Sequence, residues 1–76
     1  MTKRDYQMVA TALNQQRNNF LTDAQQDISR SSQRLLENYA DGVERTAQTL
    51  ADEFEKENPR FDRPRFMIAV KAAPAS

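Results

Sequence analysis

Apolar residues recur along this chain at helical spacing, in blocks separated by polar stretches. Tyr6, Val9, Ala10 and Leu13 stand at i, i+3, i+4 and i+7, which places them on one stripe of an amphipathic helix. Thr2 precedes that stripe, with Asp5 three residues on, the spacing of a capping box that starts a helix. The stripe thins through Asn14–Asn19 (NQQRNN). Both a break near Asn18-Asn19 and continuation toward Ile28 fit the pattern. Phe20, Leu21, Ala24 and Ile28 resume the helical spacing, and Thr22 with Gln25 resembles a second capping box. Residues 27–34 (DISRSSQR) are polar apart from Ile28 and form a second candidate turn.

The most regular block follows. Leu36, Ala40, Val43, Ala47, Leu50 and Phe54 are spaced 4, 3, 4, 3 and 4 apart, a coiled-coil-like heptad seam of about two and a half repeats. Two readings fit it: one helix of an antiparallel hairpin or bundle, and a seam for self-association. Gly42 is the only glycine, and the seam passes it without a change of phase, so it reads as an interior helical residue. Pro59 ends the helix near Glu57, because proline cannot continue a helix and drives Asn58 out of the helical region.

The segment from Glu57 to Phe66 (ENPRFDRPRF) then reads as a corner. Asp62 is a helix N-cap, and Pro64 falls in the first turn, where its missing N–H costs no helical bond. Phe61 and Phe66 occupy the two positions of a hydrophobic staple around that cap. Met67, Ile68 and Val70 extend a short apolar helix expected to cover the end of the seam. The predicted architecture is all-α: a hairpin of two main helices plus a short C-terminal helix. It forms one domain over residues 1–71, with residues 72–76 a disordered tail.

Composition narrows the function. The 76 residues include no cysteine and no histidine, which excludes disulfide staples, ordinary zinc sites, and Ser-His or Cys-His catalytic pairs. Ser29, Ser31 and Ser32 lack a glycine elbow and read as turn or solvated residues. The carboxylate pairs Asp23/Asp27 and Asp52/Glu55 share helix faces and read as solvated rather than as cation ligands. No glycine-rich phosphate loop is present. No cofactor, metal, small-molecule substrate or catalytic activity is expected.

A core this small supplies only about 3–5 kcal/mol of net stability, so a homo-oligomer is expected. No apolar run reaches the length of a membrane span, and the start of the chain lacks a secretory apolar region, so a cytoplasmic location without membrane association is expected.

Formal charge is zero overall but divides unevenly, with −3 over residues 1–59 and +3 over residues 60–76. Arg60, Arg63 and Arg65 are the candidate contacts to a partner or to phosphate. The acidic helix end at Asp52, Glu53, Glu55 and Glu57 competes for them, because the macrodipole disfavours negative charge there. Arg30, Arg34 and Arg45 alternate with Glu37, Asp41 and Glu44, so the long helix is not a basic recognition helix.

The two ends of the chain carry a resemblance. TKRDYQMVA at the start, and TLADEFEKENPRFDRPRF with MIAV at the end, resemble a group of small phage and prophage accessory proteins of uncharacterised function. Their C-terminal motif is NPRFD-R-x-RF. The resemblance covers roughly 30 of the 76 residues and leaves 18–38 without a counterpart. Ala69-Val70 stand where the group often has Ala-Cys.

It implies an accessory gene product in the host-cell cytoplasm and transfers no site residue. The function expected is non-catalytic protein–protein interaction as a homodimer, with a host protein of a defence or replication system as a possible partner. The alternative is an accessory nucleic-acid-binding protein using the C-terminal arginines.

Overall fold

The computed structural model describes residues 2–26 and 28–73, which form three α-helices: α1 (Lys3–Ala24), α2 (Arg30–Glu57) and α3 (Arg63–Lys71). The all-α hairpin with a short third helix is the observed architecture.

Each helix starts where its polar neighbours supply a cap. The Thr2 hydroxyl accepts from the Asp5 amide, and the Asp5 carboxylate accepts from the Thr2 amide at 2.9 Å, closing the capping box. Ser29 caps α2 by accepting from the Ser32 amide.

The turn falls at the start of the second candidate, with Ile28 and Ser29 before α2, and not at the first. The helix runs unbroken through Asn18-Asn19, and Thr22 lies inside α1 rather than opening a new helix. Gln25 caps the C-terminus of α1, and α2 begins at Arg30 with Ser29 as its cap, so the chain reverses between the two helices. Local polarity around Asn18 suggested a break because its satisfaction comes from elsewhere: Asn18 is buried, and its amide bonds to α3's end.

The Leu36–Phe54 seam points into the chain's own hairpin. Ala40, Ala47 and Phe54 are buried, and Leu36, Val43 and Leu50 are half-buried. As a face for self-association it is therefore already occupied. Among the described residues, five of the eight buried apolar ones are alanines: Ala10, Ala24, Ala40, Ala47 and Ala51. Small side chains let α1 and α2 approach closely, but they bury little area, so the core is thin.

Gly42 is an interior helical residue without positive φ, and a Cβ there would meet nothing within 4 Å. It costs roughly 1 kcal/mol relative to alanine, and no contact within this chain requires it.

The molecule is long, with extents of 44 × 23 × 15 Å and a radius of gyration of 13.8 Å, against about 11 Å for a compact chain of this length. The cause is the placement of α3. It packs on the first half of α1 and the last turns of α2, making a three-helix end around Ala10, Ala47, Ala51, Phe54, Phe66 and Val70. The other end is a two-helix arm formed by the last turns of α1 and the first turns of α2. There Phe20 meets Tyr39 with ring centroids 5.4 Å apart, while Ile28, Leu35 and Tyr39 stay exposed.

No helix among the described residues is long and apolar enough to cross a membrane.

Candidate functional site

Two helix N-termini and one helix C-terminus converge at the corner formed by residues 57–66. α2 stops at Glu57, and Asn58 takes an extended conformation (φ −138°, ψ 101°), as the following proline demands. The Asn58 side chain then accepts from the Arg60 amide at 3.1 Å, and its carbonyl accepts from the Phe61 amide at 2.9 Å. These bonds shape a tight turn. Asp62 caps α3 by accepting from the Arg65 amide at 3.1 Å, and Pro64 sits in the first turn.

Phe61 and Phe66 meet across that cap at 5.4 Å, the predicted staple. The staple belongs to a larger cluster. Tyr6 lies 4.9 Å from Phe54 and 4.7 Å from Phe61, and Phe54 lies 5.7 Å from Phe66. The tilted and edge-on angles suit aromatic quadrupoles, adding about 0.5–1.5 kcal/mol per pair beyond area burial.

Of the three candidate arginines, only Arg63 joins the acidic end of α2. It pairs with Asp52 and approaches Glu55 at 3.7 Å. The hydrogen bond to Asp52 raises the Arg63 pKa above its ordinary value. Asp52 and Glu55 are thus engaged by a guanidinium. Asp27, of the other carboxylate pair, lies outside the described residues.

Arg60 and Arg65 turn the other way and line a groove of about 570 Å³ with Lys3, Tyr6, Phe61 and Phe66. Among the described residues, neither these two arginines nor Lys3 has a carboxylate within ion-pairing distance. Asp62 also borders the groove, but its carboxylate caps α3. Among the described residues the groove therefore has three cations without a carboxylate partner around a partly apolar floor, beside the N-termini of α1 and α3 and the C-terminus of α2.

Ala72 and Ala73 follow α3, and Ala72 is tied down rather than frayed. Asn14 donates to the Val70 carbonyl at 2.8 Å and to the Ala72 carbonyl at 2.7 Å, and Asn18 donates to Ala72 at 3.3 Å. Two α1 amides thus satisfy carbonyls at the C-terminus of α3 that lack helical partners. Residues 74–76, the rest of the expected tail, lie outside the described residues.

Arg17 donates to the Asn18 side-chain oxygen at 3.0 Å, and its Nε stands 3.4 Å from Glu44, which extends the polar layer to α2. Sequence reasoning missed this layer by treating residues 14–19 as a gap in the stripe. Asn14 and Asn18 follow Ala10 at intervals of four, and that register was the available signal. Ile68 departs from expectation too. It points to solvent, while Val70 is buried and Met67 half-buried against the core.

The chain matches no family model, no curated protein and no solved structure.

Proposed function

We propose that this chain is a non-catalytic protein-binding module whose groove at the three-helix end takes an acidic segment of a partner protein. One observation carries the reading: Lys3, Arg60 and Arg65 ring a partly apolar groove without carboxylate partners among the described residues. Desolvating an unpaired cation is costly, so a groove of this kind favours an occupant that brings carboxylates. Its floor of Tyr6, Phe61, Ala10 and Ala69 suits an apolar side chain flanked by those carboxylates. The resemblance to phage accessory proteins supports the same genre, with a host protein as the partner.

The nucleic-acid reading draws on the same arginines. However, Phe61 and Phe66 pack on one another and on Tyr6 and Phe54, so their rings already have aromatic partners within the chain.

Fluorescence anisotropy with labelled peptides, each carrying an aromatic residue between two or three glutamates, tests the proposal. Binding to the native chain should weaken at least tenfold in an Arg60→Glu/Arg65→Glu variant of unchanged helicity. A neutral peptide of the same apolar content should not bind. Equal binding to the variant would overturn the reading. So would tighter binding of a single-stranded oligonucleotide of the same net charge, which would favour the alternative.

A further inference from the structure

α1 carries a heptad seam of its own against that of α2. Tyr6, Ala10, Leu13, Arg17, Phe20 and Ala24 repeat the spacing 4, 3, 4, 3 and 4, with a single charged residue among them. Ala10 and Ala24 are buried and the other four are half-buried, so Arg17 stands where an apolar side chain would pack. Its side chain is only 18% exposed, and that of Glu44, its ion-pair partner, 23%. The Arg17 Nε lies 3.4 Å from Glu44, yet it is buried and makes no hydrogen bond among the described residues. A largely desolvated pair of this kind adds little stability over apolar side chains of similar volume. The hairpin alone does not call for an arginine here.

A directed chain of hydrogen bonds does. Arg17 donates to the Asn18 side-chain oxygen at 3.0 Å, and the Asn18 amide donates to the Asn14 side-chain oxygen at 3.0 Å. The Asn14 amide in turn donates to the Val70 and Ala72 carbonyls, at 2.8 and 2.7 Å. A guanidinium only donates and a backbone carbonyl only accepts, whereas a side-chain amide fits either way round. With Arg17 at one end and α3's carbonyls at the other, one orientation of each asparagine avoids setting donor against donor. Asn18 is 8% exposed, so water does little to repair a reversed amide.

We propose that Arg17 is the positioning residue of a polar latch, orienting Asn18 and Asn14 so that their amides hold the C-terminus of α3 on the hairpin. Glu44 belongs to the latch through its charge on the guanidinium, although it lies on α2 and makes no hydrogen bond to α3 among the described residues. The first turn of α3 is secured separately, by Phe66 against Phe54 and Phe61. The latch therefore governs the last turn. It acts whatever fills the cationic groove, even though α3 supplies Arg65, Phe66 and Ala69 to that groove's wall.

Native-state hydrogen exchange and thermal melts of an Arg17→Leu/Glu44→Leu variant test the latch. The double substitution completes the apolar seam and removes both charges, so the melting temperature should not fall below the native one. The amides of residues 69–71 should nevertheless exchange about tenfold faster, while those of Ala47 and Ala51 in the core do not quicken. A looser α3 on a hairpin no less stable separates lost orientation from general destabilisation. Native exchange rates at residues 69–71 in the double variant would overturn the proposal. A lower melting temperature, with Ala47 and Ala51 quickening alongside α3, would do the same, since the pair would then be a brace of the hairpin alone.

Discussion

The two ends of this molecule solve the problem of a small core differently. At the three-helix end, Tyr6, Phe54, Phe61 and Phe66 interlock, and α3 is capped at its start by Asp62 and at its close by Asn14 and Asn18. At the arm, one aromatic pair, Phe20 with Tyr39, holds two helices over which no third lies. Both ends are helical to a similar degree, so helix propensity does not distinguish them. The difference is tertiary. Only one end has a third element, and local stability follows buried contacts rather than local conformation.

The sharpest test of this contrast removes one ring from each end. Phe54→Ala should cost about 3–5 kcal/mol, because the ring is buried among three other aromatics and its loss leaves a cavity. That equals the whole stability expected of a single core this size, so the variant should be largely unfolded at 25 °C. Phe20→Ala at the half-buried arm should cost about 1–2 kcal/mol and leave a folded chain. Thermal melts followed by circular dichroism compare the two, and equal losses would erase the distinction.

A smaller effect isolates α3. Asn14→Ala removes two hydrogen bonds to the Val70 and Ala72 carbonyls and should cost about 1–2 kcal/mol. Hydrogen exchange should then quicken across residues 66–71 before it quickens in the arm. Acceleration in the arm first would show that the cap does not hold α3.

The smallest expected effect comes from acid. Hydrogen bonds from the Thr2 backbone and hydroxyl hold the Asp5 carboxyl below its ordinary pKa of 3.8. A depressed carboxyl adds stability above its unfolded pKa and loses it as the pH falls through the lower folded value. The first turn of α1 should therefore fray below about pH 4, while Asp5→Asn should already show that fraying at neutral pH. Amide chemical shifts of residues 3–6 over a pH series would report it.

Much of the corner at residues 57–66 was legible in the sequence. Pro59, Asp62, Pro64 and the two phenylalanines act through bonds spanning five residues or fewer, and the chain's local grammar dictates them. The acidic end of α2 also foretold an arginine partner, but not which arginine. Arg63 points to Asp52 and Arg65 to the groove, because two positions of α3's first turn differ by about 200°, while Arg60 reaches the groove from the turn before α3. Lys3 joins that groove from across the chain, and no local pattern announces a contact of that kind.

The sequence by itself determined the all-α hairpin with a third helix, the caps at Thr2 and Asp62, and the apolar stripes of the first two helices, since propensity, periodicity and capping are local properties. Only the tertiary structure decided that the polar run at Asn14–Asn19 stays helical, because its amides find acceptors more than fifty residues away. It also decided that the heptad seam folds into the chain's own hairpin, leaving Leu35, Tyr39 and Gly42 exposed. A stripe of side chains carries its spacing in the sequence. Which of two stripes is buried depends on which of them α1 covers.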